Sequence, residues 1–121
     1  MSRLDLFIDR MVSQRACLNH AAALTQGMSG PVFELGLGNG RTYHHMCDII
    51  KTRDVFVFER AIASHPDSTP PADRVLLGDV FETLPAALAR FGATASLIHA
   101  DLGGHSAEKN DIFARKISPA I

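Results

Sequence analysis

Apolar residues recur at three- and four-residue steps between Ser2 and Gln26, at Leu4, Phe7, Ile8, Met11, Leu18 and Ala22, and this spacing sets them along one stripe of a helix. Gly27 supplies its stop. Four short runs then break the helical spacing: PVFEL (31–35), DVFVFE (54–59), VLLGD (75–79) and ASLIHAD (95–101). All four read as short strands, and the Val and Phe residues of DVFVFE suit a strand covered on both faces. Helices are predicted over 41–50, 80–91 and 106–118, the second interrupted or begun at Pro85 and the third capped by Ser106. The segment 60–74 holds three prolines and reads as a loop or a broken short helix.

Strands that alternate with helices predict an α/β fold, a parallel sheet between helical layers joined by right-handed crossovers. The whole span 1–121 reads as one domain: an N-terminal helix over 2–26, a core over 31–101 and a final helix over 106–118. With 46% hydrophobic and 21% charged residues in 121, the chain has the composition of a soluble globular protein. A net charge of −1 supplies no basic field for a nucleic acid backbone, so nucleic acid is not an expected partner. Cys17 and Cys47 lack CxxC spacing and read as two buried thiols in a reducing, cytoplasmic setting. The N-terminus has no secretory pattern and no run of eighteen apolar residues exists, so no membrane partner is expected.

The chemistry concentrates in ELGLGNGR (34–41), where a strand ends in three glycines and feeds a helix. Glycine lets backbone approach a ligand, and a helix start offers unpaired N–H groups. Open α/β sheets bind ligands at this edge, the carboxyl ends of the strands. The dinucleotide fingerprint GxGxxG would need a glycine where Arg41 stands, and GxxxxGK[ST] is absent. Glu59 closes the second strand, nineteen residues beyond Gly40, the spacing of a carboxylate that accepts from ribose hydroxyls. Asp79 closes the third. Each acid also reads as a helix cap or a solvated loop charge.

The stretch resembles motif I of class I S-adenosylmethionine-dependent methyltransferases, an acidic residue followed by xGxGxG, here Glu34, Gly36, Gly38 and Gly40. The resemblance implies a Rossmann-like sheet of order 3-2-1-4 with helices on both faces and S-adenosyl-L-methionine as cofactor. Glu34 and the backbone around Gly36 would take the methionine ammonium, and Arg41 or the helix-start N–H groups its carboxylate. Glu59 would hold the ribose, and Asp79 with the N–H of Val80 the adenine. Arg60 stands where the family more often has an apolar residue against adenine, although a guanidinium plane stacks on an aromatic ring too.

HADLGGHSAEKND (99–111) lacks the [ND]PP[YF] sequence of enzymes that methylate exocyclic or amide nitrogens. It is similar to the DGxHxYxxxxxD stretch of small-molecule O-methyltransferases, with Asp101, Gly104, His105 and Asp111 aligned. Two departures stand out, an added residue between Asp101 and His105 and Ala107 in place of the aromatic. The likeness implies catalytic roles for Asp101 and His105, with no metal claimed. The alternative has Asp101 and Ser106 capping the last helix and His105 in an exposed loop. His44 and His45 lie about 100° apart on a helix and cannot pair as i, i+4 metal ligands. They read as a half-buried helix face, with Tyr43 or His44 the alternative pocket lining, and Met11, Met28 and Met46 as core filler.

The resemblance therefore implies methyl transfer to a small molecule, at oxygen. A non-catalytic cofactor-binding or oligomerising fragment and a nicotinamide-dependent oxidoreductase are the alternatives. The family sheet has seven strands in the order 3-2-1-4-5-7-6, and only four are found here. The resemblance thus implies truncation after the fourth strand and its helix, or a second chain of the same kind covering the strand-four edge.

Overall fold

The computed structural model describes residues 1–104 and 106–121. Four parallel strands, β1 (Val32–Leu35), β2 (Val55–Glu59), β3 (Val75–Leu77) and β4 (Leu97–Ala100), form one sheet in the order β3-β2-β1-β4. Helices α1 (Arg3–Leu24), α2 (Arg41–Ile49), α3 (Val80–Phe91) and α4 (Ala107–Ile117) connect and flank them. The sheet is the expected one.

Strand periodicity divides the core. Val32, Val55 and Val57 point to one face, where Leu18 of α1 and Met46 of α2 cover them. Phe33, Leu35, Phe56 and Phe58 point to the other, against Leu84 and Ala87 of α3 and Ile117 of α4. Phe33 meets Phe58 edge-on at 5.0 Å, and Phe56 meets Phe91 at 4.7 Å. Burial of each of these rings contributes roughly 2–3 kcal/mol. The continuous apolar runs of β1 and β2 follow from this double cover.

Local chemistry sets the helix ends. Ser2 Oγ accepts from the Asp5 N–H at 3.0 Å and an Asp5 carboxylate oxygen accepts from the Ser2 N–H at 2.9 Å, a reciprocal cap that starts α1. Asp79 caps α3 and Ser106 caps α4. Pro85 lies inside α3 without ending it, so the helix begins at the Asp79 cap rather than at the proline.

The α1 stripe is only partly buried, and two expectations, buried cysteines and methionines as core filler, are corrected. The stripe on α1 is buried only toward its C-terminal end: Leu18 is buried, whereas Leu4 is 66%, Phe7 44% and Ile8 48% exposed. The N-terminal half overhangs the glycine turn and walls a cleft instead of packing on the sheet. Cys17 is exposed and Cys47 partly buried, because Cys17 lies off the packed side of α1. Of the methionines, Met46 is wholly buried but Met28 is half exposed.

Candidate active site

Backbone hydrogen bonds continue past the strand ends and hold three loops together. The Gly36 N–H donates to the Phe58 carbonyl at 2.8 Å, the Gly78 N–H to the Glu59 carbonyl at 3.0 Å, and the Asp101 N–H to the Leu35 carbonyl at 3.0 Å. Gly36, Glu59, Gly78 and Asp101 are thereby fixed along one edge, the carboxyl ends of the strands.

Gly36 takes φ +87°, and a Cβ there would come within 2.7 Å of the Asp101 carbonyl oxygen. Only glycine allows the turn and β4 to approach this closely. Gly38, at φ +53°, differs: a Cβ there would meet no protein atom within 4 Å and would project into open space. The turn delivers the chain to α2, whose first residue is Arg41 and whose N-cap, Gly40, offers no side-chain cap. The α2 start is left as a donor-rich, electropositive end.

Glu59 clamps this turn from beneath. One carboxylate oxygen accepts from the Leu37 N–H at 2.7 Å and more loosely from Gly38 N–H at 3.4 Å, and the other accepts from the Arg60 N–H at 2.8 Å. Beyond it, Asp79 accepts from the Phe81 N–H at 2.8 Å and from the Arg60 guanidinium at 2.9 Å. The Phe81 bond first, and the guanidinium second, hold its carboxyl below the usual range. Glu59, Arg60, Asp79 and Val80 thus form one group at the β2–β3 side.

Glu34 occupies a different level. It is fully buried, with one oxygen accepting from Thr42 Oγ1 at 2.8 Å and the other 2.6 Å from His99 Nδ1. Burial pushes its carboxyl up, while the bonds from His99 and Thr42 act in the opposite sense. The bond to Glu34 raises the imidazole of His99. Both groups hold a proton more tightly than they would in water. Glu34 therefore lies below the turn, tying β1 to β4 and α2.

A cleft of about 520 Å³ opens between α1 and the turn. Gly36, Gly38, Gly40, Arg41 and Asp101 line it, but Glu59, Arg60 and Asp79 do not. The sequence-named residues thus divide into a cleft group, a β2–β3 group and the buried Glu34. His105 lies outside the described residues. Asp101 is exposed and accepts from Gln14 Nε2 of α1 at 3.3 Å, while Asp111 pairs with Arg115. Ser106, not Asp101, caps α4.

Sequence reasoning missed Arg10, Gln14 and Arg15 on the α1 wall and His45 on α2, which lines the cleft instead of Tyr43 or His44. Tyr43 is buried, and His44 meets Ser68. It also missed Thr42 and His99. His99 carried a readable signal, since a polar residue inside an apolar strand demands a partner.

A parallel sheet of this order, with a glycine turn after β1 and an acid closing β2, defines a Rossmann-like nucleotide-binding domain. The chain belongs to the S-adenosyl-L-methionine methyltransferase family, whose model matches residues 1–121. It is similar to the crystal structure of an S-adenosyl-L-methionine methyl transferase from Silicibacter pomeroyi DSS-3, with 73% identity and a TM-score of 0.96 over all of this chain and 74% of that one. Comparison with curated proteins finds no match. The protein is an S-adenosyl-L-methionine-dependent methyltransferase, not the nicotinamide enzyme that its topology also allowed. Among the described residues, no helix is long and apolar enough to cross a membrane.

The residues present fit that cofactor. Gly38 leaves free space at the cleft wall, a guanidinium stands at the α2 start, and two carboxylates close the neighbouring strands. These match a carboxylate, an open backbone approach, a ribose diol and an adenine amino group.

Proposed function

We propose that this enzyme methylates a small-molecule acceptor at oxygen, within the cleft between α1 and the glycine turn. One observation carries the reading: the Asp101 carboxylate stands in the wall of a partly enclosed cleft that also contains the glycine turn. When bound, S-adenosyl-L-methionine supplies a methyl group on a sulfonium, which departs as a neutral thioether.

Arg41 holds the cofactor carboxylate, Glu59 the ribose hydroxyls, and Asp79 with the Val80 N–H the adenine edge. Gly36, Gly38 and Gly40 keep the backbone close to it. Arg60, paired with Asp79 in this structure, would be the guanidinium available to stack on the adenine. Glu34 acts beneath them as a positioning residue, because its two oxygens are engaged by His99 and Thr42. Asp101 accepts the hydroxyl proton of the acceptor as its oxygen gains the methyl group, and Gln14 holds that carboxylate in place. The α1 wall keeps water from the reacting atoms.

Incubation with methyl-labelled cofactor and a panel of hydroxylated and aminated metabolites tests the reading. Label is expected in base-stable methyl ethers from the hydroxylated members, with turnover lost in Asp101→Asn. Label found only on amines would overturn the assignment to oxygen.

A further inference from the structure

The α1 wall of the cleft combines exposed apolar side chains with guanidinium groups. Phe7, Ile8 and Val12 are large apolar residues 44%, 48% and 48% exposed, and with Met11 they face the cleft. Leaving this much apolar surface wet is unfavourable, and a ligand with an apolar body relieves it. Arg10 and Arg15 line the same cleft, with Arg41 across from them.

Among the described residues none of these three guanidinium groups forms a salt bridge, whereas Arg60, Arg74 and Arg115 each pair with an aspartate. The Arg10 guanidinium lies 5.7 Å from the centre of the Phe7 ring, which keeps the charge over the apolar wall. Asp101, the carboxylate in the cleft, is engaged by Gln14. Three cationic groups thus face one acid in a chain of net charge −1. A single cofactor carboxylate satisfies one guanidinium and leaves two on α1.

Resting on the methyl-transfer reading above, we propose that the acceptor is an amphipathic anion. Its apolar body lies on Phe7, Ile8 and Met11, and its acidic group is held by Arg10 and Arg15, leaving Arg41 to the cofactor. Guanidinium groups suit this task because they bind carboxylates and phosphates through paired N–H donors.

The test compares two fluorescent probes of similar shape on the full chain, the anionic 1-anilinonaphthalene-8-sulfonate and the uncharged N-phenyl-1-naphthylamine. The wild-type protein is expected to prefer the anion by about tenfold or more, the range of a charge-assisted contact. The Arg10→Ala/Arg15→Ala variant, checked for folding by circular dichroism, should bring the two probes level. Arg10→Lys/Arg15→Lys should retain most of the preference, and Ile8→Asp should weaken both probes. Equal wild-type affinities, a preference that survives loss of both arginines, or indifference of both probes to Ile8→Asp would overturn the proposal. S-adenosylhomocysteine titrated into the same alanine variant should bind as it does to wild type. A parallel loss there would assign the arginines to the cofactor and likewise overturn it. Absence of S-adenosylhomocysteine binding in the wild type, with the anion preference intact, would instead strike the methyl-transfer reading and leave the anion-binding cleft standing.

Discussion

Nδ1 of His99 stands 2.6 Å from Oε1 of Glu34, joining the edge strand β4 to the acid that begins the glycine motif. The second Glu34 oxygen accepts from Thr42 on α2, so one buried carboxylate links three elements under the turn. The acid is wholly enclosed, and an unpaired charge there would be costly. Its motif position is thus put to structural use.

This pair makes stability depend on pH. His99 is raised by its bond to Glu34, so its contribution is complete below the ordinary imidazole value of about 6.5 and is lost as pH rises through its folded value. Glu34 is also raised, by burial, and its contribution too declines with rising pH. Urea midpoints are expected to fall from pH 6 to pH 9 in the wild type and to change less in His99→Gln. His99→Ala should cost roughly 3–5 kcal/mol near neutral pH, since it strands the carboxylate. An unchanged midpoint in His99→Ala would show that the pair does not hold these elements together.

Gly36 and Gly38 should respond differently to alanine. Gly38→Ala places a methyl group in open space at the cleft wall and strains the backbone by about 1–2 kcal/mol. Its loss of cofactor affinity should therefore exceed its loss of stability. Gly36→Ala drives a Cβ toward the Asp101 carbonyl oxygen, and the fold itself should suffer. Thermal melts beside S-adenosylhomocysteine titrations separate the two, and equal affinity losses at equal stability would contradict the assignment.

Asp79 has two separable jobs. As the α3 cap it accepts from the Phe81 N–H, a role asparagine can fill; as a charge it meets Arg60. Asp79→Asn should keep the melting temperature near that of the wild type, and Asp79→Ala should lower it. Both should weaken cofactor binding if the carboxylate itself takes the adenine amino group. Full affinity in Asp79→Asn would restrict the residue to capping.

The fold was readable because the runs around Phe33 and Phe56 are too apolar for half-exposed strands, and the order of the strands with the helices leaves few topologies. The glycine turn was readable because three glycines after a strand have a geometric purpose. The cleft was less so. Phe7 and Ile8 share the helical period of Leu18, and periodicity cannot separate a stripe that packs on a sheet from one that walls a cavity. Nor does spacing show that Glu34 faces inward: that followed from His99, sixty-five positions away along the chain and directly opposite across the β1–β4 ladder.

The Glu59 carboxylate holds the Leu37 N–H of the turn and closes β2, where we propose that it takes the ribose hydroxyls. Calorimetric titration of S-adenosylhomocysteine into wild type and Glu59→Ala tests it directly. The wild type should bind one equivalent saturably, and the variant, still folded after a loss of about 1–3 kcal/mol, should bind at least about a hundredfold more weakly. A folded wild type that binds none, or a Glu59→Ala protein that binds equally well, would contradict it.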